Sequence, residues 1–540
     1  MTRKSKLSWL VVVAMMVSSL LLILLVGGCS STPSSDSQPS AANAKPSGSL
    51  TIAAAFRDGG LDPQNNTANT LQNLALGIYD QVVELDSEGK ARPGLAERWE
   101  MAPDGLSQTF YIRKGVKFHD GSDLTAADVK FSMERITAPE STNVDKGNWT
   151  TQIASIQAKD DYTLVIQLRA PMYELLNGFL DYSGSASVLP KKYIEEKGVD
   201  YFRTHPIGSG PFKVVGWQPG IRLDLEAVEG HWRATPKFKN ISIRYISEEG
   251  TKSAMLKTGE LDIAEVAPDS AASLKSAGVR IFDFDGGAQY YAGFFYDVDN
   301  RMKYPVGDVK VRKALSLATN RQEIADKLYG GYAVPSAMFY VRPSAFFWDP
   351  NVMKPDPFDP EQAKKLLAEA GYPNGFSVKI WDLGGGSILS TFNQGLSGYW
   401  RKVGVNSDIV AVEQVALQKL IAPKHTPEIW NTVRPTLTGG GIFQFEKFAI
   451  VYHSQKSSRK NHSVPGLDDL IDKVPLTKDP VEKKKLALQA ATLAKNDLSD
   501  MEIIDMRTVL ALSPQVGGLT PIKGMVGLAA ALETITHSSK

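Results

Sequence analysis

Side chains able to do enzyme chemistry are present in this chain, but not in the spacings that such chemistry needs. A serine nucleophile raised on a sharp turn requires G-x-S-x-G, and Ser209 in "IGSGP" and Ser397 in "GLSGY" both have the wrong neighbours. The seven histidines, at 119, 205, 231, 425, 453, 462 and 537, form neither H-E-x-x-H nor any other ligand-like pair, and the single cysteine supplies no thiolate set for zinc or nickel. Gly384-Gly385-Gly386 and Gly439-Gly440-Gly441 lack the Lys-Ser/Thr of a phosphate loop and read as turns or points of close backbone approach. "DVDN" at 297–300 lacks the twelve-residue calcium loop with its central glycine and reads as a solvated loop. The expectation is a protein without catalytic residues, metal or cofactor, and therefore not an enzyme.

Cys29 is the one residue whose position implies a modification. A lone cysteine cannot close an internal disulfide. Arg3, Lys4 and Lys6 precede a weakly polar run from Leu7 to Gly28, which is the charge-then-apolar order of a secretory signal. The run is also long enough to span a bilayer, so a signal anchor with an incidental cysteine is the alternative. Its exit, Leu25-Val26-Gly27-Gly28-Cys29, resembles a bacterial lipoprotein signal, in which the cysteine is acylated and becomes the new N-terminus. Residues 1–28 are then a signal peptide and Cys29 a membrane tether, since two acyl chains at roughly 0.8 kcal/mol per buried methylene hold a soluble domain at a surface. Residues 29–48, rich in Ser, Pro, Ala, Gln and Asn, are a flexible leash.

Cleavage removes three of the 60 basic residues and none of the 59 acidic ones, leaving a mature chain that is formally −2. Nothing in that balance suggests nucleic acid. The remaining residues, about 490, exceed one core and imply two or three domains.

The elements that position any site are legible in outline. Structure begins at "SLTIAAAF" near Ser49, and strand alternation is clear in "YTLVIQLRAP", where Leu164, Ile166 and Leu168 face one side, and recurs in "RLDLEAVEG" and "NISIRYI". In "LTAADVKFSMERI", Thr125 and Asp128 form a capping-box pattern and Val129, Met133 and Ile136 a buried stripe. "FDPEQAKKLLAEAGY" has Asp359 as N-cap, Pro360 at the first helical position, Ala363, Leu366, Leu367 and Ala370 at helical spacing and Gly371 as its stop. "GDVKVRKALSLATNRQEIADKLYGG" predicts two consecutive helices, the second capped by Asn320 and ended by Gly330. Strands and helices interleave throughout, which predicts mixed α/β lobes.

Several segments resemble one family, the extracytoplasmic solute-binding proteins of ABC importers in the oligopeptide, dipeptide and nickel class (family 5). The densest match is "RPGLAERWEMAPDGLSQTFYIRKGVKFHDGSDLTAADVKFSMERI", residues 92–136, followed by "PIGSGPFKVVGW", "MLKTGELDIAEV", "VGDVKVRKALSLATNRQEIADKLYGGYAVP" and "DPEQAKKLLAEAGYPNGF", in the family's order from about residue 50 to 420. The resemblance implies an α/β fold, the two-lobed periplasmic-binding-protein type II clamp with an extra subdomain inserted in the first lobe. On that reading lobe I spans residues 49–300 plus 500–540, with the inserted subdomain at about 82–204, and lobe II spans 301–499. Within the densest match, Arg113, His119, Asp120 and Asp128 are expected to be scaffold that joins a hairpin to the following helix. The implied function is capture of a peptide-like or other organic solute by lobe closure and delivery to ABC permease subunits and their ATPase. The protein is expected to be monomeric and extracytoplasmic, tethered in the periplasm or at the outer face of the cytoplasmic membrane. A receptor for sensing or peptide chaperoning without import is the alternative.

The sequence departs from the family where the ligand is read. Peptide-binding relatives place an acid about three residues after a second-lobe tryptophan, to pair with the ligand's ammonium. Here the similar stretch is "PEIWNTVRPTLTGGGIFQFEKFAIVYHS", and Trp430 is followed at that spacing by Val433 and then Arg434, although Glu428 or Glu446 could supply the acid. A buried ammonium without a partner is costly. An arginine there suits a carboxylate, sulfonate or phosphonate, which it grips in bidentate fashion. The expected ligand site comprises Phe56, Tyr340, Trp381, Trp430, Arg434 and Tyr452, with pairing of Arg434 to a surface acid as the alternative.

Overall fold

The computed structural model describes residues 45–54, 60–64, 77–88, 90–143, 146–173, 186–296, 300–339, 341–343, 345–382, 388–413, 432–438, 445–456, 463–521 and 532–538. The signal segment, Cys29, both glycine runs and residues 297–299 of "DVDN" lie outside that set. Among the described residues, no helix is long and apolar enough to cross a membrane.

The chain enters on the strand Ser49–Ala54, which pairs in parallel with Asn240–Tyr245 on one side and Ile263–Glu265 on the other. Leu50 and Ile52 are fully or almost fully buried against Phe212, Leu223, Ile241 and Leu510 in one hydrophobic core. At about 1.5–3 kcal/mol for each fully buried large apolar side chain, such a cluster is the main force fixing the strand order.

That sheet continues through the molecule as eleven strands. Its middle is two long antiparallel strands, Arg280–Phe295 and Asp500–Leu512. Their first-paired ends carry Phe284, Leu510 and Leu512 into the core around Ser49–Ala54. Their other ends carry Tyr290, Ala292, Phe294, Met501 and Ile503 into a different core, built on Phe376–Asp382 and its flanking helices. The two strands therefore cross from one core to the next. Register fails between Asp285 and Gln289, at Gly286-Gly287-Ala288. A Cβ on Gly287 would lie 2.2 Å from the Met506 carbonyl oxygen, so only glycine fits this crossing.

A separate four-stranded antiparallel sheet, made of Ala96–Met101, Ser107–Ile112, Thr163–Leu168 and Ile153–Asp160, packs on the helix Ala126–Thr137 around a third core that includes Val82, Phe110, Val129 and Ile166. The segment is inserted between Ser49–Ala54 and Phe212–Gln218. Its helix begins where the capping box predicts. The Thr125 N–H and hydroxyl donate to Asp128 Oδ2 at 2.9 and 3.0 Å, and Val129, Met133 and Ile136 are buried.

The family-like residues of this segment do scaffold work. His119 Nδ1 accepts from the Gly208 N–H at 3.1 Å and its Nε2 bonds the Gly210 carbonyl at 2.9 Å, tying the hairpin to the returning chain. Asp120 accepts from the Ser122 N–H and hydroxyl, and Arg113 pairs with Glu97 while lying over the Trp232 ring. Asp80, fully buried, accepts from Trp232 Nε1 at 2.8 Å. Burial pushes its carboxyl upward, but the His231 hydrogen bond and the Arg233 charge outweigh that and hold it below the usual range.

The helices at 309–329 and 360–369 also start and stop as their caps predict. Asn320 accepts from the Glu323 N–H, Gly330 is left-handed, and Asp359 accepts from the Gln362 N–H.

Candidate ligand-binding cavity at the strand crossing

The register break opens a hollow. A cavity of about 400 Å³ is lined by Asp285 and Gly286 of one crossing strand, by Asp505, Met506 and Arg507 of the other, by Val334 to Ala337 with Arg342, Pro343, Trp348 and Met353, and by Glu88 of the inserted segment. Its size falls in the range of small-molecule sites. Three separately cored parts of the chain meet there, because Met353 and the partly buried Trp348 belong to a further core around Phe347, Phe448 and Leu467.

Charges of both signs are held in place around this hollow. Arg342, which is almost completely buried, donates from Nη2 to the Gly287 carbonyl at 2.6 Å, and its Nε lies 3.6 Å from Asp505 Oδ1. Asp505 also accepts from Gln289 Nε2 at 2.6 Å and from the Ser336 hydroxyl at 2.8 Å. Arg507 pairs with Asp283 and Asp285. Trp348, Pro335, Pro343 and Met353 provide apolar wall. Behind it, on the same crossing strand, Glu502 is fully buried. Burial pushes its carboxyl well above the usual range; Asp505 and Asp500 add to this, against the opposing charges of Arg342 and Arg321. Burial therefore favours the protonated acid at Glu502.

Such an arrangement can hold a polar solute by fixed charges and an indole face. No group of three or more His, Cys, Asp or Glu among the described residues is placed to hold a metal ion.

Of the site residues expected from sequence, Phe56, Tyr340 and Trp430 lie outside the described residues. Arg434 stands in the strand Thr432–Thr438 opposite Gly293, with its side chain likewise outside the described set. Trp381 is the penultimate residue of the strand Phe376–Asp382, opposite Val410, and is 5 % exposed; Val378 and Ile380 alternate into the neighbouring core, which does not include Trp381. Tyr452 is 2 % exposed, with its ring centroid 4.8 Å from that of Phe448. Sequence reasoning did not find Arg342, Trp348, Asp505 or Arg507. The available signals were weak: Gly286-Gly287 interrupting an alternating strand, and Arg342 and Trp348 close together in a Pro-containing stretch.

The sequence profile described as "Bacterial extracellular solute-binding proteins, family 5 Middle" matches residues 90–436. The chain belongs to this family. It is a family 5 solute-binding protein of ABC importers, with the type II two-lobed clamp expected from its motifs. The glutathione-binding protein GsiB of Escherichia coli O1:K1 is 29 % identical over 472 residues, covering 85 % of this chain and 89 % of that one. Among solved structures, HbpA2 of Haemophilus parasuis superposes with a TM-score of 0.78 at 24 % identity, covering 91 % of this chain and all of the other. The periplasmic binding protein DppA of Helicobacter pylori, solved with the peptide STSA, gives 0.73 at 22 % identity over 92 % of this chain and 99 % of its own. As a family 5 member, the chain acts outside the cytoplasm.

Proposed function

We propose that the protein is the lipid-anchored receptor of an ABC importer, capturing a peptide-like or carboxylated organic solute between two lobes and handing it to a membrane permease. The observation that carries this reading is the cavity at the strand crossing, where Arg342, Arg507, Asp505 and Trp348 meet between separately packed cores. A solute touching both sides favours the closed form by its differential affinity for that form.

On this reading lobe I comprises 49–300 and 500–540, lobe II comprises 301–499, the segment at about 82–204 is an insertion in lobe I, and the crossing strands are the hinge. Cys29, acylated after cleavage, tethers the clamp through the leash 29–48. Arg434, with Trp381 and the aromatic residues Phe56, Tyr340, Trp430 and Tyr452, completes the ligand site and takes an anionic group of the solute. The ligand in the name of GsiB supports the choice of solute, since glutathione is a small peptide with two carboxylates.

The test is a thermal-shift panel on the purified protein with glutathione, dipeptides and tripeptides, aromatic acids, sugars and metal ions. A ligand of the folded form adds roughly 2.7 kcal/mol at a hundred times its dissociation constant. Stabilisation by peptides or carboxylated solutes, weakened about tenfold or more by Trp348→Ala or Arg434→Ala, is the expected result. Stabilisation by sugars or metal ions alone would overturn the choice of solute, and radiolabel on Cys29→Ala equal to wild type after growth with labelled fatty acid would overturn the anchor.

A further inference from the structure

Next to the cavity at the crossing lies a smaller hollow of about 280 Å³ that, among the described residues, shares with it only the wall residue Ala337. It is bounded by four helices, Val309–Leu317, Arg321–Tyr329, Pro360–Glu369 through Leu366, and Pro480–Asp497, and by the loop carrying Asp356. Lys310, Lys313, Arg321 and Lys495 line it against the single carboxylate of Asp356.

That carboxylate is already engaged. Lys313 Nζ meets Asp356 Oδ1, and the Ser316 hydroxyl donates to Oδ2 at 2.7 Å. The buried Arg321 is committed as well, giving Nη1 and Nη2 to Ser316 and Nε to the Glu502 carbonyl at 3.0 Å. Lys495 and the exposed Lys310 are the exceptions: among the described residues neither ammonium has a hydrogen-bond partner or a carboxylate within ion-pair distance, and of the two Lys495 is the partly buried one. Its ammonium is held below the usual lysine range by partial burial, countered by Asp356 and reinforced by Lys313 and Arg321. A last-turn lysine is favoured by the end of its own helix. That accounts for one cation and not for the convergence of cations from three helices on one hollow.

We propose that this hollow is a second binding site, for a small multivalent oxyanion such as phosphate or a dicarboxylate, separate from the solute cavity. Excess positive charge in a partly desolvated concavity is unfavourable until an anion shares it. The volume admits an inorganic oxyanion or a four-carbon dicarboxylate. Because Arg321 in its wall is bonded to the backbone of the crossing strand at Glu502, the site abuts the strand on which the clamp turns.

The test is calorimetric titration of the purified protein with inorganic phosphate, sulfate and succinate in separate arms, each against sodium chloride at matched ionic strength. Lys495→Gln is compared with Lys484→Gln, which removes the same charge from the exposed side of the same helix. Saturable binding in any arm, weakened about tenfold or more by K495Q and unchanged by K484Q, is expected. Binding of phosphate and sulfate but not succinate would assign inorganic anions, and the reverse would assign dicarboxylates. No saturable binding in any arm up to about 10 mM, or equal weakening by both variants, would overturn the site.

Discussion

Arg507 on one crossing strand lies 3.1 Å, Nη1 to Oδ1, from Asp285 on the other, at the last paired position before the two strands lose register. The same guanidinium meets Asp283 two residues earlier. The pair is partly exposed, so its Coulomb energy is screened. Arg507→Ala is expected to cost about 1 kcal/mol or less, and the difference should vanish in 1 M salt. Urea unfolding at low and high salt measures this; a loss above about 3 kcal/mol that persists in salt would mean that the pair acts as a buried one.

Gly287 has no such tolerance. Its missing Cβ leaves room for the Met506 carbonyl at 2.2 Å, and its own carbonyl accepts from Arg342. Gly287→Ala must push the crossing strands apart and shift Arg342. The expected outcome is a loss of about 1–3 kcal/mol with a lower affinity for the solute. Gly278→Ala, where nothing lies within 4 Å of the added carbon but φ is +84°, is the comparison for backbone strain alone.

Glu502 gives the pH dependence a definite sign. Its folded pKa is raised by burial, so below the ordinary carboxylate pKa it is protonated in both states and costs nothing. As pH rises through that value the unfolded chain ionises while the folded one stays neutral, and stability falls until the folded pKa is reached. Glu502→Gln removes this decline. The variant should melt higher than wild type at pH 8, by about 2 °C or more, and close to it at pH 5. A variant that melts lower at both values would show that the carboxylate, not the acid, is the buried form.

Asp128 tests the inserted segment. It closes the capping box with Thr125 and also accepts from the Lys191 N–H at 3.1 Å. Asp128→Ala should cost about 1–2 kcal/mol by urea unfolding, with an unchanged dependence on denaturant and unchanged solute affinity.

Helix ends were the most legible feature of this sequence. Asn320, Asp359 and Gly330 each act within a few residues of their own position, and a cap needs no distant partner. Strand faces were legible for the same reason, as Leu164 and Ile166 show by their complete burial. The long crossing strand Asp500–Leu512 was not read from the chain, because its partner Arg280–Phe295 lies more than 200 residues away and, over much of their length, both strands are buried on both faces and so show no alternation. The cavity shared this limit: Glu88, Asp285, Arg342 and Arg507 are brought together only by strand pairing and by the packing of separate cores.

By itself the sequence determined the family, the mixed α/β class, the scaffold role of the hairpin around His119 and the absence of familiar catalytic spacings, all of which depend on local pattern. Tertiary structure alone decided where charge gathers. The direction in which a buried acid is shifted depends on desolvation and on neighbours remote in the chain, and so Asp80 and Glu502, alike as buried carboxylic acids, carry opposite shifts.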